Sequence, residues 1–177
     1  MSIAAEDRPR YTIDDYQHWE GRWELWEGYP VAMAPSPFGP HAAVVSELIR
    51  LIGNQLSDQP CDAVVLSEID WIVDRTTVVR PDVVVLCGGV PERHVESPPA
   101  MVIEVTSPST AENDRGYKRQ LYASQGVAMY VLIDRENGHI VIQRSDGRAE
   151  TMTDRRVSST VCGDCHLELD AATLLAF

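Results

Sequence analysis

Apolar residues along the chain follow two different spacings, and these separate the predicted helices from the predicted strands. Between His41 and Leu56 the apolar residues recur every three or four positions, which is the spacing of one face of an α-helix. Farther along, two near-continuous runs of β-branched residues, Thr77–Leu86 and Ala100–Thr106, are typical of central strands buried on both faces. The stripe on the predicted helix consists of Val45, Leu48, Ile49, Ile52 and Leu56.

The remaining segments complete a mixed order of helices and strands. Thr12 is a good N-cap for a short helix that runs to about Glu20. Gly28 is expected to turn the alternating segment Arg22–Glu27 into a hairpin. Further predicted elements are a loop with Pro35, Pro37, Gly39 and Pro40, strands at 63–66, 69–73, 128–133 and 138–143, and helices at 114–125 and 170–175. This order predicts an α/β fold in which a mixed sheet is flanked by helices.

Length and charge narrow the classes of protein that the chain can be. Its 177 residues, without an internal repeat or a long linker, predict one domain over residues 1–177 with a core at about 12–170. Fifteen basic and 27 acidic residues give a net charge of −12, which argues against a nucleic-acid binder that relies on a basic surface. A locally basic cleft, or a metal ion between protein and phosphate, remains compatible with this charge.

We expect a cytoplasmic, reduced protein without a membrane span. The first ten residues lack the basic and apolar segments of a signal peptide, and no apolar run reaches about 18 residues. Cys87 lies in an apolar run and is predicted to pack as a small hydrophobic side chain. The segment Cys162-Gly-Asp-Cys165-His166 has the spacing of half a zinc site or of a redox pair, but no second pair of matching spacing is present. A zinc-dependent regulatory protein would need a further ligand such as Cys61 or His139, and we favour a structural role for these cysteines.

Two acidic residues interrupt the apolar strands. Asp82 follows Pro81 in the first strand, and Glu104 lies within the second. A buried carboxylate is costly unless it is paired or binds a cation, and two of them on adjacent strands would present the oxygen ligands that Mg²⁺ prefers. The alternative is that each acid lies at a strand end, where it meets water or an arginine such as Arg80.

Lys118 is the only lysine among the fifteen basic residues, and it follows the second acidic strand. On a helix Asp114, Lys118 and Tyr122 lie one turn apart, and Arg115 and Arg119 flank them. One interpretation is a solvated helix face with a weak ion pair. The interpretation that we favour is a cation that positions a nucleophilic water or stabilises negative charge on a phosphate.

Pro81-Asp82, followed after 21 residues by Glu104-Val-Thr106, resembles the signature of the PD-(D/E)XK nucleases. The wider pattern resembles the Uma-two family of endonuclease-like proteins, a branch of that superfamily, over residues 12 to 170. The matching pieces are Trp23–Gly28, Ser36-Pro37, His41, Arg80–Val83, Val102–Thr110, Asp114, Lys118, Tyr122, Gly126-Val127 and Tyr130–Asp134.

The resemblance implies a restriction-endonuclease-like fold, a Mg²⁺ or Mn²⁺ ion held by Asp82 and Glu104, hydrolysis of phosphodiester bonds in DNA, and a homodimer. Thr106 stands where the superfamily pattern places lysine, and Lys118 on the following helix is the matching candidate. Glu24 matches the N-terminal glutamate of the family, as a further ligand or a base that positions water, unless it lies on a wet face of the hairpin.

Three further residues complete the candidate site. His41 is either a donor that lines the site or a polar start of its helix. Arg115 and Arg119, on the helix of the candidate lysine, are candidates for phosphate contacts. The competing hypothesis keeps the nuclease-like fold without catalysis, as a binding or assembly module whose acidic surface serves protein partners.

Overall fold

A six-stranded mixed sheet forms the centre of the molecule in the computed structural model, which describes residues 9–33, 39–107 and 111–177. The strands are β1 (Trp23–Trp26), β2 (Tyr29–Ala32), β3 (Ala63–Ser67), β4 (Trp71–Asp74), β5 (Thr77–Val79), β6 (Val83–Cys87), β7 (Met101–Val105), β8 (Met129–Asp134), β9 (His139–Arg144), β10 (Ala149–Met152), β11 (Arg156–Val161) and β12 (Cys165–Asp170). The helices are α1 (Ile13–Tyr16), α2 (Gly39–Ser57), α3 (Ala111–Asn113), α4 (Arg119–Ser124) and α5 (Ala171–Leu175), and a π-helical turn (Asp114–Lys118) joins α3 to α4.

The central sheet has the strand order β10-β9-β8-β7-β6-β3, and only the pair β7 and β8 is parallel. The segment from α3 to α4 makes the crossover that this parallel pair requires. A second, antiparallel sheet has the order β2-β1-β5-β4, and β11 pairs with β12 in a separate hairpin. The predicted mixed α/β sheet with an N-terminal helix and hairpin is therefore confirmed.

Side chains of the central strands alternate between two apolar layers, as the period of two in a strand requires. In β7, Met101, Ile103 and Val105 pack with α2 and the β11–β12 hairpin, whereas Val102 faces the opposite side, which is covered by Tyr122 of α4. Glu104 lies on this second face, because it alternates with the residues that pack on α2. The alternation therefore determines that the acidic residue points toward the helical crossover.

The run predicted as one strand from Thr77 to Leu86 is instead two strands in two different sheets. β5 ends at Val79 and β6 begins at Val83, so the chain changes sheet across Arg80, Pro81 and Asp82. Proline has no N–H group to contribute to a strand ladder, which makes position 81 a natural break. The break places Asp82 directly before the central strand β6.

Helix α2 begins earlier than the sequence pattern predicts. Gly39 and Pro40 belong to the helix and not to the predicted loop, because a proline in the first helical turn lacks only an N–H that would have no helical partner. The buried face consists of Val44, Leu48, Ile52 and Leu56, with Val45 and Ile49 packed beside it. Pro35 and the motif pieces Ser36-Pro37 and 108–110 lie outside the described residues.

The strands from residue 149 onward, β10, β11 and β12, were not predicted from the sequence. Two glutamine side chains attach β12 to the rest of the fold. Gln55 lies in the last turn of α2 and Gln59 two residues beyond its end, and each forms hydrogen bonds to the backbone of β12 through both the oxygen and the nitrogen of its side-chain amide. Gln55 pairs with the backbone of Glu168 at 3.0 and 2.7 Å, and Gln59 pairs with that of His166 at 2.7 and 2.7 Å. The two amides act as a neighbouring strand would and satisfy part of the edge of β12.

Replacing both glutamines, in the variant Gln55→Ala/Gln59→Ala, should lower the free energy of unfolding by about 2 kcal/mol, because four hydrogen bonds of modest net value are lost. Urea denaturation measures the change. Asn54→Ala is the matched control, since Asn54 lies on the exposed side of the same helix. Equal stability of the double variant and this control would show that the amides do not hold the hairpin.

All four cysteines lie in disulfide bonds, which the sequence did not predict. Cys61 is bonded to Cys165 and Cys87 to Cys162, with Cα–Cα separations of 5.6 and 5.3 Å. The predictions that the chain is reduced, and that Cys87 packs as an unpaired hydrophobic side chain, are therefore wrong for this structure. Cys87 is exposed at the end of β6, where the turn that joins β11 to β12 reaches it.

None of the helices within the described ranges has the length and the apolar character to cross a membrane.

Candidate active site

Asp82 and Glu104 lie opposite each other on neighbouring strands. The register pairs Val83 with Ile103, and its continuation by one residue places the two acids side by side. The backbone N–H of Asp82 donates to Glu104 Oε2 at 3.3 Å. The backbone N–H of Val105 donates to Asp82 Oδ2 at 2.7 Å, which fixes that carboxylate over the end of β7.

Arg80 does not neutralise either of these two acids. Its Nε donates to Asp70 Oδ1 at 2.6 Å, and its side chain also contacts the hydroxyl group of Tyr16. The Arg80 side chain is thus paired with Asp70, so the alternative in which Arg80 pairs with Asp82 is wrong.

Lys118 reaches the two acids from the helical crossover. Its Nζ lies 3.1 Å from Glu104 Oε1 and 3.9 Å from Asp114 Oδ1. Both Asp114 and Lys118 are buried, so the interpretation as a solvated helix face is wrong. These two residues bound the π-helical turn, a rare local widening of a helix that is found frequently at functional sites.

Glu24 of β1 also lies in this cluster and not on a wet face of the hairpin. Its side chain is 3% exposed, and Oε1 is 3.0 Å from Lys118 Nζ. The backbone N–H of Arg80 donates to Oε1 at 2.7 Å, and Trp26 Nε1 donates to Oε2 at 2.9 Å. The hairpin is formed by the two-residue turn Glu27-Gly28, both with positive φ, and it brings Glu24 toward β5.

Tyr122 is a member of the site that the sequence-based assignment of roles left out. Its hydroxyl group donates to Glu104 Oε1 at 2.6 Å, and the ring is fully buried against Trp71 and Tyr130. Burial and the charge of Glu104 raise the pKa of Tyr122 well above its ordinary value, so the phenol keeps its proton and remains a donor. Its spacing of four residues from Lys118 was the available signal for this role.

Carboxylates outnumber the single ammonium group of the cluster. Glu24, Glu104 and Asp114 lie within 4 Å of Lys118 Nζ, and Asp82 lies beside Glu104. Burial, together with Asp114 and Asp82, raises the pKa of Glu104 well above its usual value, although Lys118 opposes the shift. Burial alone would lower the pKa of Lys118, but the surrounding carboxylates outweigh it and raise this pKa well above its ordinary value. Lys118 is therefore charged at neutral pH, and Glu104 holds a proton more readily than an exposed glutamate.

His41 lines the open side of the site. Its Nε2 lies 3.1 Å from Asp82 Oδ2, and the side chains of His41 and Asp82 are 13% and 19% exposed, more than those of Glu24, Glu104 and Lys118. Burial lowers the pKa of His41, but the hydrogen bond and the charge of Asp82 more than compensate and raise it above its usual value. His41 is therefore a donor at the entrance to the site as well as part of the first turns of α2.

The two candidate arginines point elsewhere. Arg115 forms an ion pair with the buried Asp134 at the end of β8, and Arg119 donates from Nε to Gln143 of β9. The guanidinium group of Arg115 is half-exposed, so it remains accessible from outside. Neither is part of the group of contacts around Glu104 and Lys118.

The donor set can be compared with the needs of a hard divalent cation. Within residues 9–33, 39–107 and 111–177, no group of three or more His, Cys, Asp and Glu side chains is arranged to hold a metal ion by itself. Mg²⁺ usually takes one or two protein carboxylates and completes its coordination with water and phosphate oxygens. Asp82 and Glu104 supply these two carboxylates, and the excess of negative charge around them favours the binding of a cation.

Comparison with known proteins shows which proteins this chain is similar to. The model of the Uma2 family, described as "putative restriction endonuclease", matches residues 13–165. An uncharacterized protein of Synechocystis sp. is 31% identical over 121 residues, which are 65% of this chain and 63% of that protein. The match thus spans less than two thirds of that relative's length.

A solved structure shares the fold. The crystal structure of a "putative nuclease belonging to DUF820" from Anabaena variabilis superposes with a TM-score of 0.77 over 93% of this chain and 97% of that chain. The two sequences are 20% identical, so the similarity concerns the arrangement of helices and strands.

Proposed function

Because the chain belongs to the Uma2 family, whose model covers residues 13–165, we propose that it is a divalent-metal-dependent endonuclease that hydrolyses phosphodiester bonds in DNA. The observation that carries the proposal is the excess of carboxylates around one buried lysine. A buried group of this kind is unfavourable unless a cation balances it. Asp82, at the open side of the cluster, and the buried Glu104 beside it would provide the oxygen ligands.

Each residue of the site has its own role in the proposed hydrolysis. Asp82 and Glu104 would hold Mg²⁺ or Mn²⁺, which when bound lowers the pKa of a coordinated water and offsets charge on the phosphate. Lys118, fixed by Glu24 at 3.0 Å and by Glu104 at 3.1 Å, orients the attacking water and places a positive charge beside the phosphate. Tyr122 donates to Glu104 and thereby holds the orientation of this carboxylate.

His41, Arg115 and Arg119 would contact the DNA substrate. His41 donates to Asp82 at the entrance, where a phosphate of the DNA backbone approaches. The half-exposed Arg115 is a candidate phosphate contact beyond the central cluster, and Arg119 lies on the same helix. We also propose that the protein acts in the cytoplasm as a homodimer, in which two sites serve the two DNA strands.

Metal binding should depend on both strand acids and on pH. Calorimetric titration with Mn²⁺ or Mg²⁺ should give one site per chain, and Asp82→Asn should weaken it by at least about tenfold. Affinity should rise with pH, because the raised pKa of Glu104 means that the incoming cation must displace a proton. The displaced proton is measured by repeating the titration in buffers of different ionisation enthalpy.

Glu112→Gln is the control for this titration, since Glu112 is an exposed carboxylate on α3, the helix directly before the π-helical turn that carries Lys118. It should bind metal as the wild type does. Absence of metal binding, both in the free protein and with a DNA duplex added, would contradict the proposed function. The net charge of −12 would then favour the second candidate, a nuclease-like module that binds protein partners through its acidic surface.

A further inference from the structure

The four cysteines of the chain meet at one place, far apart though they are in sequence. Cys162 and Cys165 flank the tight turn between β11 and β12. Cys61 precedes β3, and Cys87 ends β6. The Cα atoms of Cys61 and Cys165 are 5.6 Å apart, and those of Cys87 and Cys162 are 5.3 Å apart.

The register of β3 and β6 places the other two cysteines on one face of the sheet. Cys87 pairs with Ala63, and Cys61 lies two residues before Ala63, so Cys61 and Cys87 share a face and are diagonal neighbours. Diagonal neighbours in an antiparallel pair are about 7–8 Å apart. The turn with Cys162 and Cys165 lies against this pair, because each of its cysteines is disulfide-bonded to one of them. Sulfur atoms that are bonded as disulfides are not available as metal ligands, so this oxidised form presents no metal-holding group within the described residues.

We propose that Cys61, Cys87, Cys162 and Cys165 form a tetrathiolate zinc site when the chain is reduced, and that the two disulfides are the metal-free, oxidised form of this site. Structural zinc sites use four cysteines in tetrahedral geometry, and one ligand pair is commonly spaced as Cys-x-x-Cys. At a Zn–S distance of about 2.3 Å, tetrahedral sulfurs are about 3.8 Å apart, within reach of side chains on backbones so close together. The sheet edge supplies the second ligand pair, which the sequence alone does not display.

The surroundings suit a structural metal ion. Cys165 is fully buried, and Cys61 and Cys162 pack against the same apolar cluster. Cys87 is exposed, which leaves a path for the metal and for a reductant. The turn is closed by positive φ angles at Cys162 and Gly163, so its two cysteines are held at a fixed separation.

The conversion between the two forms balances in electrons and protons. Each disulfide accepts two electrons and two protons, for example from two molecules of a low-molecular-weight thiol that form their own disulfide, and yields two thiols. Zinc then binds the four thiolates as their four protons leave. In the reverse direction two molecules of a low-molecular-weight disulfide take up the four electrons and leave as four thiols or thiolates, the cysteines form the two disulfides again, and the zinc ion is released.

The proposal is tested with the full chain reduced by a phosphine, incubated with Zn²⁺ and freed of unbound metal. Elemental analysis should find one zinc per chain, and Co²⁺ in its place should give the intense thiolate charge-transfer and visible bands of a tetrahedral site. Addition of the oxidant diamide should release the zinc in step with the loss of four titratable thiols.

Matched variants locate the ligands. Cys87→Ser and Cys162→Ser should each lose most of the zinc, whereas His166→Ala should keep it, because the His166 ring contacts Thr160. Glu104→Gln should also keep it, which separates this site from the strand acids. A reduced wild type with four free thiols and no retained zinc overturns the proposal even if the cysteine variants fail to fold. Equal zinc in Cys87→Ser and wild type, or an octahedral Co²⁺ spectrum, overturns it as well.

Discussion

The Glu104→Gln variant should lose DNA cleavage by about 10³-fold or more while it keeps its fold. The substitution removes a charged ligand from the proposed metal site, and a bound metal contributes several kcal/mol to stabilising the transition state. The amide oxygen can still accept from Lys118 and Tyr122, as Glu104 Oε1 does. Nicking of supercoiled plasmid and cleavage of labelled duplexes, each with Mg²⁺ and with a chelator, measure the loss.

Stability provides the internal control for this variant. Burial and neighbouring acids raise the pKa of Glu104, so the fold prefers its neutral form over its charged form. An uncharged, isosteric glutamine should therefore change the free energy of unfolding little, because the gain from removing a buried charge is offset by the loss of the 3.3 Å hydrogen bond from the Asp82 N–H to Oε2. Glu112→Gln, at an exposed position, should retain full activity. Undiminished cleavage by Glu104→Gln would place the chemistry outside this site.

The Lys118→Met variant should lose about 3–5 kcal/mol of the free energy of unfolding in the absence of metal, because removing one partner of a buried charge pair leaves the other uncompensated. Glu24, Glu104 and Asp114 all lie within 4 Å of its ammonium group. Denaturation in a chelator measures the loss. Gln120→Met tests whether a methionine on this helix is itself harmful, since Gln120 is exposed.

The pH dependence of this variant has a defined sign. Lys118 is the main influence that lowers the pKa of Glu104, so this pKa rises further when Lys118 is replaced. At pH values between the ordinary glutamate pKa and this raised pKa, the folded chain holds a proton on Glu104 that the unfolded chain has released. Stability relative to wild type should therefore recover as pH falls toward 5. The double variant Lys118→Met/Glu104→Gln should recover part of the loss at neutral pH. An unchanged stability of Lys118→Met at all pH values would contradict the buried cluster.

The acids of the two central strands could be predicted because a charged residue in an apolar run has few explanations, and strand alternation then determines its face. Lys118 was recognisable because it is the only lysine. Glu24 was ambiguous, since an alternating hairpin does not reveal which face meets the rest of the chain until β5 packs beside it. Its partner Lys118 lies 94 residues away, a distance at which local pattern carries no information.

The features of the fold that the sequence did not predict arise mostly from contacts between segments that are distant in sequence. The disulfides join residues 104 and 75 positions apart, and cysteine spacing alone does not specify such pairs. Strands β11 and β12 carry polar residues at alternate positions in a mostly polar stretch, and their burial arises from packing against α2. The break at Pro81 was visible as a proline, but the strength of the β-branched run on either side obscured it.

The π-helical turn between Asp114 and Lys118 makes the site sensitive to the length of the chain. Such a turn corresponds to one residue more than a regular α-helix holds over the same span. Deleting a single residue there would remove this extra residue and leave a regular α-helix whose two ends keep their relative orientation. The spacing between Asp114 and Lys118 would fall from four residues to three, which changes how the two side chains lie relative to Glu104 while the sheet beneath stays intact. A single deletion could thus alter the buried cluster without disturbing the fold, so this geometry can be gained or lost in one genetic step.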